Sequence, residues 1–285
     1  HDDALMMGEM DKLLFALGVV GCKDMGILWD NIVKIGKEKE AIPSGDTACG
    51  FANTAMVLGN QGLIPRTCAA VDRVMTAVRT MVAVEAGAIG PDKDCGYEGV
   101  YMKAITGTPI SMEGRTSACA HSSHVGNIVG AICDMWSNES VQNIRLLGGM
   151  APTVYTEQLV YDCRMMNTAT KLGKADVLKE IFVESDKALE PHGYIMDPKV
   201  VVEISKKIVA AKGHFERTRI AALATIDALR KGYDNKELLL ADREYRYLDV
   251  MEASLSSVTT DVEAFTDEMK KACASEKFKP EWYDL

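Results

Sequence analysis

The chain has 285 residues, of which 47% are hydrophobic and 26% charged, an ordinary composition for a globular protein. Its formal net charge of −9, with no cluster of lysines and arginines, excludes a role that depends on binding nucleic acid phosphates. No stretch approaches the ~20 apolar residues that a membrane-spanning helix needs. The eight cysteines include no closely spaced pair, and no secretory segment is present, so we expect reduced thiols and a cytoplasmic location.

The first third of the chain is predicted to be mainly helical. Apolar spacing predicts helix over residues 2–37, with glycines 18, 21 and 26 marking a break or close packing. This helix is apolar from its start and needs a surface to cover, so we interpret the chain as the C-terminal part of a longer protein. The elements predicted next are a strand at 41–46, helices at 50–60 and 67–87, a loop at 90–96 and a helix at 97–106.

The middle of the chain alternates between predicted strands and helices. Strands are expected at 108–113 and 141–147, and helices at about 120–136 and 153–172. Such alternation is typical of a parallel sheet, with the polar turns gathered at the C-terminal edge of its strands. Three strands cannot close an eight-stranded barrel. We therefore predict an α/β fold, the C-terminal part of a (β/α)8 TIM-type barrel whose other strands precede His1.

The last part of the chain is predicted to be wholly helical. Asp197-Pro198 begins one helix, Gly232 is expected to end the next, and Thr260–Glu263 is a predicted capping box for the last. We expect two regions, a partial barrel at 1–172 and a helical extension at 173–285 that packs on it.

Two cysteines stand out because each follows an acidic, turn-forming run and precedes a glycine and a helix-like segment. They are Cys49, in SGDTACGFANTAM, and Cys95, in GPDKDCGYE. A thiol at the start of a helix is favoured as a thiolate, and two thiolates can share one soft metal ion. Their spacing matches no recognised zinc pattern, so buried structural thiols are the alternative.

Several other side chains are candidates for a site near these cysteines. Five residues in or beside the predicted turns are candidate pocket or supporting residues: Asp46, Glu85, Glu98, Glu113 and His121. The alternative is a turn or helix cap for each carboxylate, and a core or solvent-facing position for the histidine. The cysteines expected in the core are Cys22, Cys68, Cys133, Cys163 and Cys273.

Longer runs of sequence resemble one known family. The segments SGDTACGFANTAM, EAGAIGPDKDCGYE, KAITG, MEGRTSACAH and WSNESV resemble the zinc-containing methanol–corrinoid protein methyltransferases, and the resemblance covers essentially the whole chain. In that family methanol is activated and its methyl group is passed to the Co(I) corrinoid of a partner protein.

The resemblance implies a fold, a metal site and partners. The family fold is an α/β barrel, its zinc is held by one glutamate and two cysteines, and the enzyme is a homodimer that docks a corrinoid protein. Cys49 and Cys95 match the two cysteines, whereas the family glutamate lies before residue 1. Shared zinc would place the two sulfurs roughly 3.5–4.5 Å apart. Two alternatives stay open: a related enzyme with another methyl donor, and a non-catalytic fragment that only docks the corrinoid protein.

Overall fold

The structure is a computed structural model that describes residues 1–44, 49–89, 96–107, 152–273 and 278–285. Within these ranges the regular secondary structure is helical. The helices are α1 (Asp2–Met7), α2 (Met10–Leu14), a π-helical segment (Phe15–Gly21), α3 (Cys22–Glu38), α4 (Cys49–Asn60), α5 (Arg66–Ala86), α6 (Gly96–Thr106), α7 (Pro152–Lys171), α8 (Ala175–Asp186), α9 (Pro191–Ile195), α10 (Pro198–Ala210), α11 (His214–Asp234), α12 (Asp242–Ser257), α13 (Val262–Ala272) and a 3₁₀ turn (Pro280–Tyr283).

The helices predicted at 50–60, 67–87 and 97–106 are confirmed to within one residue, whereas the helix predicted over 2–37 is interrupted after Met7, at the left-handed Gly8. Gly87 ends α5 with a left-handed backbone, φ 113°, as its position after the apolar run predicted. The glycines near the start permit close packing: a Cβ on Gly18 would lie 3.0 Å from Thr218, and one on Gly21 would lie 2.7 Å from Nε of Arg79. Both belong to the π-helical segment, where the chain passes against α5 and α11.

The strand predictions have a different outcome. Residues 41–44 are irregular rather than extended in a sheet, and the rest of that prediction lies outside the described residues. The strands at 108–113 and 141–147, and the helix at 120–136, also lie outside them. No strand occurs in the described ranges, so the barrel stays a prediction.

Helix α5 is the centre of the packing. Every residue from Thr67 to Ala83 is buried, and the helix contacts α3, α4, α6, α9, α11 and α12. A helix apolar on most of its circumference needs neighbours on all sides. The surrounding helices come from both ends of the chain, and their apolar side chains form one core with those of α5. The described part of the chain contains no helix long and apolar enough to cross a lipid bilayer.

Two helix boundaries in the C-terminal part correct the sequence prediction. Helix α11 does not end at Gly232 but continues to Asp234, and Gly232 serves instead to let the ring of Tyr194 approach. The last helix is capped by Asp261 rather than Thr260, because the Asp261 carboxylate accepts hydrogen bonds from the backbone N–H groups of Glu263 and Ala264. The Asp197 cap is confirmed by its bond from the N–H of Lys199.

Candidate functional site

Two helices begin at or directly after the two candidate metal-binding cysteines in the sequence. Helix α4 begins at Cys49, and α6 begins at Gly96, the residue that follows Cys95 in the sequence. Both helices pack against α5. Cys95 and the side chain of Cys49 lie outside what the structure describes, so the predicted separation of their sulfurs stays a prediction.

A buried arginine on α5 joins these two helices. The guanidinium of Arg73 donates from Nη1 to Oε1 of Glu98 on α6, at 2.9 Å, and from Nη2 to Oδ1 of Asn53 on α4, at 2.8 Å. Arg73 is 1% exposed and Glu98 is 0% exposed, so water competes for neither charge. A buried guanidinium is stable only when its charge is matched, and the Glu98 carboxylate provides that match while Asn53 accepts from the second terminal nitrogen.

Glu98, a candidate from the sequence, is a buried partner of Arg73 rather than a surface cap. Its Oε1 also accepts a hydrogen bond of 2.9 Å from the hydroxyl of Thr76. Its Oε2 is buried and has no hydrogen-bond partner among the described residues. The carboxylate is therefore held firmly through one oxygen while the other keeps its capacity to accept a hydrogen bond.

Glu85, another sequence candidate, takes part in a surface ion pair. It lies in the last turn of α5, accepts a hydrogen bond of 2.8 Å from Arg217 on α11, and has its carboxylate 3.6 Å from Nε2 of His214. This pairing joins α5 to α11 and gives Glu85 a structural role. Asp46, Glu113 and His121 lie outside the described residues, and their roles stay predictions.

Next to the start of α4, polar and aromatic groups form a second cluster. The guanidinium carbon of Arg79 lies 4.3 Å from the ring centroid of Phe51, and the ring of His1 lies 4.7 Å from the same ring. His1 is held by Asp72, whose Oδ1 is 3.0 Å from Nε2 of His1. Burial by itself would lower the pKa of His1, but the hydrogen bonds and charges of Asp72 and Asp2 outweigh it and raise the pKa.

The sequence analysis missed the charged residues of α5. Asp72, Arg73 and Arg79 interrupt an apolar helical pattern, and all three are at least 95% buried. The sequence does contain a signal for them, since three charged residues lie within a helix that is otherwise apolar. Charged side chains are almost never buried unless paired, so these three indicate partners on neighbouring elements. Their partners belong to other helices, which the spacing within α5 does not reveal.

The remaining described cysteines differ in burial. Cys22 and Cys68 are in the core, as predicted, and burial raises the pKa of Cys22 to about 12 and that of Cys68 still further. Cys163 is only partly buried, so the prediction that it belongs to the core is wrong, whereas Cys273 is partly buried and packs against the core. Cys133 lies outside the described residues. Among the side chains that the structure describes, no group of three His, Cys, Asp or Glu residues is arranged to hold a metal ion.

Comparison with known proteins shows the family. The described residues form a helical protein in which α4 and α6, the helices that begin at Cys49 and Gly96, rest on the buried helix α5. The family model for the methanol-cobalamin methyltransferase B subunit, MtaB, matches residues 1–284, and the chain belongs to this family.

Two relatives from Methanosarcina barkeri are similar along the whole chain. A methanol–corrinoid protein co-methyltransferase of strain Fusaro is 38% identical over 289 residues, which cover 99% of this chain and 62% of that protein. A chain in the crystal structure of the methanol:cobalamin methyltransferase complex MtaBC is also 38% identical, with a TM-score of 0.87 over all of this chain and 63% of that one. The chain thus spans less than two thirds of the length of these relatives, and its fold matches the corresponding part.

Proposed function

We propose that this chain belongs to an enzyme that takes the methyl group of methanol and transfers it to the Co(I) corrinoid of a partner protein. The observation that carries the proposal is the match of residues 1–284 to the MtaB family. The relatives' names give the same activity, and one of them is found in a complex named for methanol and cobalamin. The net charge of −9 fits a small neutral substrate and a protein partner better than an anionic polymer.

The proposal includes a zinc ion held by Cys49 and Cys95. The donor chemistry fits, because two thiolates select zinc over magnesium or calcium, and a helix start such as that of α4 favours a thiolate. When bound, zinc supplies a Lewis acid that stabilises the charge developing on the alcohol oxygen as the C–O bond breaks. The chain's own residues hold the ion and orient the two cysteine-bearing turns. The third ligand is expected from a glutamate before residue 1, because a catalytic zinc normally has three protein ligands.

Three further parts of the proposal concern architecture and setting. The partial (β/α)8 barrel is proposed for residues 1–172, with its strands in segments outside the described residues, and a helical extension for 173–285. Homodimers in the cytoplasm are proposed for the intact enzyme. The face that bears Cys49 and Cys95 must stay open, because a corrinoid ring on another protein has to approach the methyl carbon.

A methyl-transfer assay tests the activity. The full-length protein, loaded with zinc, is mixed with its Co(I) corrinoid partner and methanol, and formation of methyl-Co(III) is followed by its visible spectrum. We expect turnover that is lost in Cys49→Ser and Cys95→Ser and kept in Cys163→Ser, the matched control for replacing a cysteine. Turnover with a methoxylated compound but not with methanol would show another methyl donor. Partner binding without turnover would show a docking protein.

Zinc analysis of the same variants tests the metal site. Both thiols must lose their protons to bind, so retained zinc is expected to decrease as the pH falls. Either serine variant should lose the metal, and the Cys163→Ser protein should retain it. Stoichiometric zinc in both serine variants would refute the assignment of Cys49 and Cys95.

A further inference from the structure

The buried guanidinium of Arg73 contacts both α4 and α6. Asn53 lies one helical turn after Cys49 in α4, and Glu98 lies three residues after Cys95, near the start of α6. Arg73 donates to both side chains, at 2.8 Å and 2.9 Å.

The hydrogen bonds from Arg73 to Asn53 and Glu98 can fix the distance between α4 and α6. The guanidinium is planar and presents its N–H donors in a rigid fork, so one arginine bonded to two acceptors determines their directions as well as their separation. Thr76, one turn after Arg73 on α5, shares its hydroxyl hydrogen between the carbonyl oxygen of Arg73, at 2.7 Å, and the same Glu98 oxygen, at 2.9 Å, and so adds a further contact to that carboxylate. All three side chains of this unit, Arg73, Thr76 and Glu98, are at least 99% buried.

We propose that Arg73 is a positioning residue, which holds the starts of α4 and α6 at the separation that lets Cys49 and Cys95 share one metal ion. The inference rests on the proposed function only in taking these two cysteines as a metal-binding pair. Asn53 and Glu98 transmit the restraint to the two helices, and Thr76 adds a further contact to Glu98.

Four variants separate positioning from folding. Arg73→Met removes the bridge, and Arg73→Lys keeps the charge but replaces the fork by one ammonium group that cannot hold both partners in the same geometry. Asn53→Ala removes the contact to α4 and leaves the buried Arg73–Glu98 ion pair intact. Glu244→Gln is the control, because it also weakens a buried contact to α5 but touches neither Asn53 nor Glu98. Circular dichroism establishes which variants fold.

Two measurements on the full-length protein report the geometry of the pair. In the metal-free protein, dibromobimane cross-linking of Cys49 to Cys95 is quantified by peptide mass spectrometry. In the cobalt(II)-loaded protein, the thiolate-to-cobalt charge-transfer absorption gives the ligand geometry, and titration gives the affinity for cobalt(II).

We expect cross-linking to fall about tenfold in Asn53→Ala, because a small displacement of one reacting group costs much of the rate. Cobalt affinity should fall by about 10-fold to 100-fold, as for supporting residues of metal sites in general. Arg73→Lys should give a smaller loss than Arg73→Met, and Glu244→Gln none. If Asn53→Ala and Arg73→Lys fold and their cross-linking and spectra are unchanged, the positioning role of Arg73 is refuted, but the metal-binding pair is not. If the unaltered protein gives neither the cross-link nor the thiolate-to-cobalt absorption, Cys49 and Cys95 are not a metal-binding pair, and the role of Arg73 is refuted as well.

Discussion

Two buried groups in neighbouring positions should give the protein opposite responses to pH. Glu190 is 2% exposed at the start of α9, and burial raises its pKa from 4.5 to about 7, with Asp186 adding to the rise and Arg66 opposing it. His192, also 2% exposed, has its pKa lowered from 6.5 to about 3 by burial and by the positive charges of Arg73 and Arg66. Both groups are therefore favoured as neutral in the folded protein.

The sign of each contribution follows from proton uptake. Because the pKa of Glu190 is raised in the folded protein, its contribution to the free energy of unfolding is full below pH 4.5. This contribution is lost as the pH rises to about 7, which lowers the free energy of unfolding by about 3 kcal/mol. The lowered pKa of His192 acts the other way. The contribution of His192 to the free energy of unfolding is full above pH 6.5. It is lost as the pH falls towards 3, at about 1.4 kcal/mol per pH unit. Between pH 4.5 and 6.5 the two slopes nearly cancel.

Single substitutions separate the two contributions. Relative to the unaltered protein, Glu190→Gln should gain about 3 kcal/mol in free energy of unfolding from pH 4.5 to 7. His192→Gln should instead gain relative stability as the pH falls below 6.5. Urea unfolding followed by circular dichroism at pH 5, 6, 7 and 8 measures both differences, and all other titrating groups cancel in them. Differences that do not vary with pH would refute the assignment of neutral buried forms.

Three substitutions and one truncation test the packing of the helices. Gly232→Ala would place a Cβ 2.5 Å from the ring of Tyr194 and should cost about 1–3 kcal/mol in thermal unfolding, whereas Gly26→Ala, with its nearest neighbour at 3.8 Å, should be neutral or stabilising. Glu244→Gln should cost about 1–2 kcal/mol, because one amide oxygen cannot accept both N–H groups that the carboxylate holds at the start of α5; equal unfolding midpoints would contradict this. A chain ending at residue 172 should fail to give a cooperative thermal transition, because the helices that cover α5 from one side would be missing.

The sequence was sufficient to predict most of the described helices. In α5 the apolar residues recur at helical spacing and Gly87 follows the last of them, so both its extent and its end could be predicted. The same holds for α4, α6 and α7, whose bounds differ from the prediction by one residue. Local signals are sufficient here because each helix carries its own periodicity and its own boundary residues.

The contacts between helices could not be predicted in this way. Arg73 lies 20 residues from Asn53 and 25 residues from Glu98, and nothing within any one helix specifies that the three meet. Glu98 was a candidate because it lies beside a predicted turn, but its partner Arg73 was not predicted. At Gly232 the usual helix-ending preference of glycine is outweighed by a tertiary contact, because only a residue without a Cβ allows the Tyr194 ring to approach.

The position of α5 gives a physical reason why the C-terminal helices accompany the cysteine-bearing part of the chain. Helix α5 contacts α4 and α6, and it is also covered by α9, α11 and α12. The hydroxyl of Tyr101 on α6 donates to the carbonyl of Ile195 on α9 at 2.7 Å, so α6 is bonded to that covering layer directly. Hydrogen bonds between charged groups are stronger where water is excluded. We therefore expect the tail to contribute to the proposed metal site indirectly, by excluding water from the Arg73 bridge, although it supplies none of the proposed ligands.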